Sequence, residues 1–221
     1  MPVATLKPVP KAWKPCVRKV CGVTRPADAH HAVRSGANAI GLIFYPPSPR
    51  AVTVAQARRL TATIPPGVRR VGVFVSERPA TIAAAVREAR LNVVQLHGKE
   101  TPEGCDLVRQ EVGDGVELWK AVRVGPRFDG SGLSAFDADA FLLDTGREGM
   151  YGGTGESFPW DLALHAKRFG RVVLAGGLDG SNVAEAVRAA RPWGVDSSSR
   201  LESRPGVKDP EKVARYLDSA R

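Results

Sequence analysis

Cysteine is scarce in this 221-residue chain: Cys16, Cys21 and Cys105 are its only thiols. They form no Cys-x-x-Cys and no paired metal spacing, which excludes a disulfide scaffold and a zinc ribbon. An odd, sparse set points to a reducing, cytoplasmic setting. No run of about 18 apolar residues occurs, so no membrane span is expected. The stretch Met1–Cys16 mixes Pro, Lys and small apolar residues and lacks the apolar core of a signal peptide. It reads as a flexible extension ahead of a single domain at 17–221, or as the product of a start codon placed too early. The first apolar run has no Gly-x-Gly-x-x-Gly turn after it; Cys21-Gly22-Val23-Thr24-Arg25-Pro26 holds one glycine. That argues against a dinucleotide-binding open sheet. Acidic residues are outnumbered, 23 against 32 basic, for a formal charge of +9. The arginines lie at helical spacing with no aromatic-interleaved basic stripe, so they read as a solvated surface, with no nucleic-acid partner expected. A positive field would still favour an anionic substrate.

What is present is alternation. Eight short, β-branched apolar runs recur: Val17–Val23, Ala39–Phe44, Arg70–Val75, Asn92–Leu96, Glu117–Val122, Ala140–Asp144, Arg171–Ala175 and Trp193–Ser197. Near-continuous hydrophobicity suits strands buried on both faces of a parallel sheet. Amphipathic segments separate them, with start signals at Pro26, Pro79, Thr101-Pro102, Ser181 and Asp209-Pro210. The fifth connection, Asp129–Asp137, is rich in Gly and Ser and promises only a short helix. A chain of this size with eight βα units predicts a (β/α)8 barrel of the α/β class, its active site at the C-terminal strand ends.

Those ends carry polar groups. Cys21 closes strand one, His97 follows strand four, Lys120 and Arg123 lie on strand five, and Asp144 closes strand six. Gly176-Gly177 follows strand seven, and Asp196 to Ser199 follow on strand eight. The glycine pair suits an anion, because backbone N–H groups can approach it closely. The loop Gly146–Gly155 holds five glycines in ten residues and reads as a lid. Cys21 and Asp144 can act as base and acid, although a strand-end cysteine alone is commonly inert packing.

These motifs also carry a resemblance. Lys19-Val20-Cys21-Gly22-Val23-Thr24, Gly41-Leu42-Ile43-Phe44-Tyr45 with Ser48-Pro49-Arg50, Val93-Val94-Gln95-Leu96-His97-Gly98, Leu142-Leu143-Asp144-Thr145 with Gly152-Gly153-Thr154-Gly155, Leu174-Ala175-Gly176-Gly177-Leu178 and Pro205-Gly206-Val207-Lys208-Asp209 resemble, in order, the phosphoribosylanthranilate isomerase family. The resemblance implies a cofactor-independent Amadori rearrangement of a phosphosugar-anthranilate in tryptophan biosynthesis, by a monomer or homodimer with no metal. It implies Asp144 as general acid, Cys21 as general base and Arg50 as partner of the anthranilate carboxylate. Gly176, Gly177, Ser198 and Ser199 would hold the phosphate, with Asp196 and His97 on the same rim. The related sugar-phosphate isomerase of histidine biosynthesis would be expected to carry an aspartate where Cys21 stands. One departure is visible. Arg200 occupies the place of a family glycine, and Ser197 that of an apolar residue. If the glycine needs a positive φ, Arg200 is strained there, and lower phosphate affinity is expected. That leaves a non-catalytic or altered-specificity phosphate-binding barrel as the alternative.

Overall fold

The structure is a computed structural model that describes residues 13–125, 128, 130–144 and 160–221. The expected lid, Gly146–Gly155, lies outside the described residues, as does most of the N-terminal extension.

Eight parallel strands close into one barrel in sequence order, with β8 pairing back to β1. They are β1 (Val17–Val20), β2 (Ala39–Ile43), β3 (Arg69–Phe74), β4 (Val93–Leu96), β5 (Glu117–Arg123), β6 (Ala140–Asp144), β7 (Val172–Ala175) and β8 (Gly194–Ser197). The helices are α1 (Pro26–Arg34), α2 (Val54–Thr61), α3 (Pro79–Ala89), α4 (Pro102–Val112), α5 (Trp160–Ala166), α6 (Val183–Ala190) and α7 (Pro210–Ser219). A 3₁₀ turn, Ser131–Ala135, replaces a helix after β5, as the Gly- and Ser-rich sequence there predicts. Among the described residues no helix is long and apolar enough to cross a membrane.

The helix starts follow the sequence signals. Pro occupies the first turn of α1, α3, α4 and α7, where its missing N–H costs nothing. Thr53 and Gln56 form a reciprocal capping box on α2, and the Asp209 carboxylate accepts from the N–H groups of Glu211 and Lys212. Strands β2, β3, β4, β5, β7 and β8 each shift by a residue at one end or both, α6 starts at Val183 rather than Asn182, and one boundary moves further. Strand β1 ends at Val20 rather than Val23, because Gly22 turns the chain with φ +69.

Side chains of period two fill the barrel interior with Val17, Val71, Val93, Trp119, Leu142 and Val173. The outward residues pack beneath the helices, among them Ile40, Leu42, Val94, Leu118 and Val195. At the N-terminal end, Trp119 meets Trp193 edge to face, and the guanidinium groups of Arg69 and Arg171 lie over the Trp193 ring. Trp13 donates its indole N–H to the Pro192 carbonyl at 2.9 Å.

A repeated clamp joins strands at this same end. Asn38, just before β2, accepts the Arg18 N–H on its side chain and returns its own N–H to the Arg18 carbonyl. Asn92 does the same to Arg70, and Asp139 to Leu118.

A ninth and tenth strand, β9 (Glu202–Arg204) and β10 (Val207–Lys208), form a hairpin absent from the sequence reading. Its turn uses Gly206 at φ +79. The hairpin carries Glu202 and Lys208 to the C-terminal rim.

Candidate active site

Alternation decides which side chains face the barrel mouth. On β1 it places Val17, Lys19 and Cys21 inward; on β4 and its end, Gln95 and His97; on β6, Asp144; on β8, Asp196. A cavity of about 470 Å³ opens above them. Cys21, His97, Asp144, Gly176, Gly177, Asp196, Ser198 and Ser199 all line it, with Tyr45, Gln95 and Arg200. Every expected site residue except Arg50 therefore borders one space.

Cys21 is buried, 6% exposed, and sits over Gly41 on the neighbouring strand. A Cβ at Gly41 would come within 2.7 Å of the Cys21 Sγ and 3.1 Å of the Lys19 Cε, so only glycine leaves room for both. Lys19 is fully buried, and its Nζ donates to Asp196 Oδ2 at 2.9 Å. Burial pushes the Cys21 thiol up, the Lys19 ammonium beside it pulls it down, and the Asp196 carboxylate pushes it up again; the net direction is up. Asp196 Oδ1 is buried without a hydrogen-bond partner.

His97 links two polar groups. The Gln95 amide nitrogen lies 2.8 Å from His97 Nδ1, and His97 Nε2 lies 3.2 Å from Asp144 Oδ2. With Gln95 Nε2 donating to Nδ1, Nε2 is the ring nitrogen that faces the Asp144 carboxyl. The ring is thus one partner of that carboxyl. Lys120, expected on the rim, is instead buried beneath it. It donates to the Gly98 carbonyl at 2.9 Å and Glu100 Oε2 at 2.8 Å, holding the loop that carries His97.

The glycine pair has the conformation its sequence suggested. Gly176 has φ +85 and Gly177 has φ +67, both in the region that costs other residues about 1–2 kcal/mol. The Asn182 side chain donates to the Gly177 carbonyl at 3.0 Å and accepts from the Asp179 N–H at 2.9 Å, bracing the turn ahead of α6. Ser197 is accommodated as well: its hydroxyl donates to the Leu178 carbonyl, tying β8 to this turn. Arg200 corrects an expectation. It lies in a 3₁₀ turn, Ser199–Leu201, and positive φ at described residues other than glycine is confined to Ser76, Arg90 and Arg191. The predicted backbone strain is therefore absent. Its guanidinium stands 4.0 Å from Asp179 Oδ2 while its side chain borders the cavity beside the glycine turn.

Arg50 reaches the rim but not the cavity lining. Its side chain passes Gly22, whose added Cβ would meet the Arg50 Cδ at 2.7 Å. Its Nε and Nη2 donate to the two oxygens of Glu202 at 2.8 and 2.7 Å. Glu202 also accepts from Lys208 Nζ at 2.8 Å, and Lys208 donates to the Ser198 carbonyl at 3.1 Å. The two cations hold the Glu202 carboxyl below its ordinary range against the effect of burial. Sequence reasoning did not assign Lys19, Gln95, Glu202 or Lys208 to the site. For two of them a signal existed: Lys19 precedes Cys21 by two, and Gln95 precedes His97 by two, so each shares an inward face. Among the described residues no group of three or more His, Cys, Asp or Glu is placed to hold a metal ion.

A closed parallel barrel with a thiol, a carboxyl and a left-handed glycine turn around one C-terminal cavity has the layout of barrel enzymes that act on phosphorylated small molecules. Comparison with known proteins makes this specific. Residues 18–219 match the sequence profile described as PRAI, N-(5'phosphoribosyl)anthranilate (PRA) isomerase. The N-(5'-phosphoribosyl)anthranilate isomerase of Solibacter usitatus is 47% identical over 205 residues, covering 93% of this chain and 97% of that protein. The crystal structure of phosphoribosyl anthranilate isomerase from Thermotoga maritima superposes with a TM-score of 0.82 at 39% identity, covering 92% of this chain and 98% of the other. A further structure of such an isomerase, in complex with reduced 1-(o-carboxyphenylamino)-1-deoxyribulose 5-phosphate, gives a TM-score of 0.80 at 38% identity, covering 92% and 97%. The chain belongs to the N-(5'-phosphoribosyl)anthranilate isomerase family.

Proposed function

We propose that this chain converts N-(5-phosphoribosyl)anthranilate to 1-(2-carboxyphenylamino)-1-deoxyribulose 5-phosphate, with Asp144 as acid and Cys21 as base. The observation that carries the assignment of roles is the cavity itself, which brings a carboxyl from β6 and a thiol from β1 to one space beside a left-handed glycine turn. Asp144 gives its proton to the ribose ring oxygen as the C1–O bond breaks, and the anthranilate nitrogen lone pair forms the iminium. Cys21, as thiolate, takes the proton from C2. The C–H electron pair becomes the C1–C2 double bond and the nitrogen is neutral again. Protonation at C1 and loss of the C2 hydroxyl proton give the ketone.

Gly176, Gly177, Ser198 and Ser199 take the phosphate, and Arg200 adds a cation at the same edge. Arg50 faces the anthranilate carboxylate, with Glu202 holding its guanidinium in place. Asp196 lies at the floor of the same cavity, below the sugar. Acid and base suffice, so no cofactor is invoked. The domain is 17–221, and a reducing, cytoplasmic setting suits a site whose base is a free thiol. No observation favours the non-catalytic alternative, since the backbone strain expected at Arg200 is absent.

The test is loss of the substrate's anthranilate-type fluorescence, with substrate made in situ. Turnover well above the spontaneous rate is expected. Asp144→Asn should lower kcat/KM by about 10²- to 10⁴-fold, the usual reach of a general acid. No turnover by folded wild-type protein at any substrate concentration would refute the proposal.

A further inference from the structure

Lys19 is buried deeper than any solvent-facing role requires. It lies on the interior of β1, pairs in register with Asp196 on β8, and is 0% exposed. Burying an ammonium is costly unless it is paired, and the Asp196 contact supplies one partner. The second group beside it is the Cys21 sulfur, held with the Lys19 stem over the bare Cα of Gly41. The charged groups around Cys21 are Lys19 on its own strand, Asp196 on β8, Lys208 on β10 and Arg50, with Glu202 bridging the last two. With Asp144 across the cavity holding its proton as the acid, these are three cations and two carboxylates. The set is neutral only when Cys21 carries a negative charge.

We infer that Lys19 is a positioning residue for the base: its ammonium favours the Cys21 thiolate from which proton abstraction starts, while Asp196 keeps the ammonium in place. This inference rests on Cys21 being the base. Lys19 stays protonated throughout and transfers nothing. The proton leaving C2 bonds to Cys21 Sγ, and its electron pair stays with the substrate carbons. Burial and Asp196 oppose the thiolate, and Lys19 is the largest of the groups favouring it. The transient iminium next to Sγ adds a further cation when the base must act.

The test uses the full chain with Cys16→Ser and Cys105→Ala, so that Cys21 is the one thiol read. Thiolate absorbance is followed against pH, together with the rate of alkylation by iodoacetamide at neutral pH. Lys19→Met should slow alkylation about tenfold or more, the factor that one unit of thiol titration represents. Because that variant leaves Asp196 unpaired, the double variant Lys19→Met/Asp196→Asn serves as the neutral replacement. It should fold, and should slow alkylation to a smaller degree, since the opposing effect of Asp196, weaker at the sulfur than that of Lys19, leaves with the cation. In both, the acid limb of the kcat/KM profile should move to higher pH. Unchanged thiolate titration and alkylation in the folded double variant, with kcat/KM lowered equally at all pH values, would overturn the inference and leave Lys19 structural. Full activity in Cys21→Ala fails differently. It would refute the base assignment, and the inference with it, whatever the titration reads.

Discussion

The Glu202 carboxylate is the keystone of the rim, and its removal has a calculable effect. Its side chain is 4% exposed and receives Arg50 on both oxygens and Lys208 on one. Glu202→Gln keeps the shape and removes the charge. It leaves two cations close together with no carboxylate between them. Breaking a buried ion pair by deleting one partner costs about 3–5 kcal/mol. For a chain of this length each kcal/mol is worth roughly 2–4 °C, so Tm should fall by roughly 6–20 °C at neutral pH. The pH dependence has a definite sign. The folded protein holds Glu202 below its ordinary value, so the contribution is full above the unfolded value of about 4.3 and is lost as pH falls through the folded value. Wild type and variant should therefore differ most at neutral pH and converge in acid. Urea denaturation at several pH values measures this. A loss under about 1 kcal/mol at neutral pH, or a difference that does not change on acidification, would refute the reasoning, because an exposed pair behaves that way.

Two further outcomes follow at the proposed phosphate edge. Arg200→Gly should raise KM about three- to tenfold with kcat little changed, the effect of removing one partly exposed cation from an anion site; a lower KM would mean that the side chain obstructs the phosphate instead. Gly177→Ala meets no atom within 4 Å but must adopt φ +67, so it should cost about 1–2 kcal/mol in chemical denaturation from backbone strain alone; no cost would show that the turn relaxes to another conformation.

Most of the barrel was legible because it obeys local rules. Buried parallel strands are continuous apolar runs, and all eight expected runs became strands. The Pro and Asp signals at Pro26, Pro79, Pro102 and Asp209 mark real helix starts because each addresses backbone groups in the adjacent turn. The polar ends Cys21, His97, Asp144 and Asp196 were legible by position alone. What was not legible depends on distant pairs. Glu202 meets Arg50 across 152 residues through a hairpin that the Pro205-Gly206 signal did not reveal. Lys19 looked like one residue of a motif, and only the register of β1 with β8 gives its ammonium a partner 177 residues away. Arg200 looked strained because a glycine was expected there; the 3₁₀ turn shows that the position accepts an ordinary φ.

The clamps made by Asn38, Asn92 and Asp139 divide the barrel wall unevenly. Each ties an odd strand to the even strand after it, so β1–β2, β3–β4 and β5–β6 are stitched by a side chain as well as by the ladder. Among the described residues the other joints, β7–β8 included, show no such stitch. The wall is thus assembled from two-strand staves, and a new chain terminus would be tolerated better between staves, after α2 or α4, than within one. The same grain separates the chemistry: the thiol of Cys21 and the carboxyl of Asp144 belong to different staves, so the site exists only once the ring has closed.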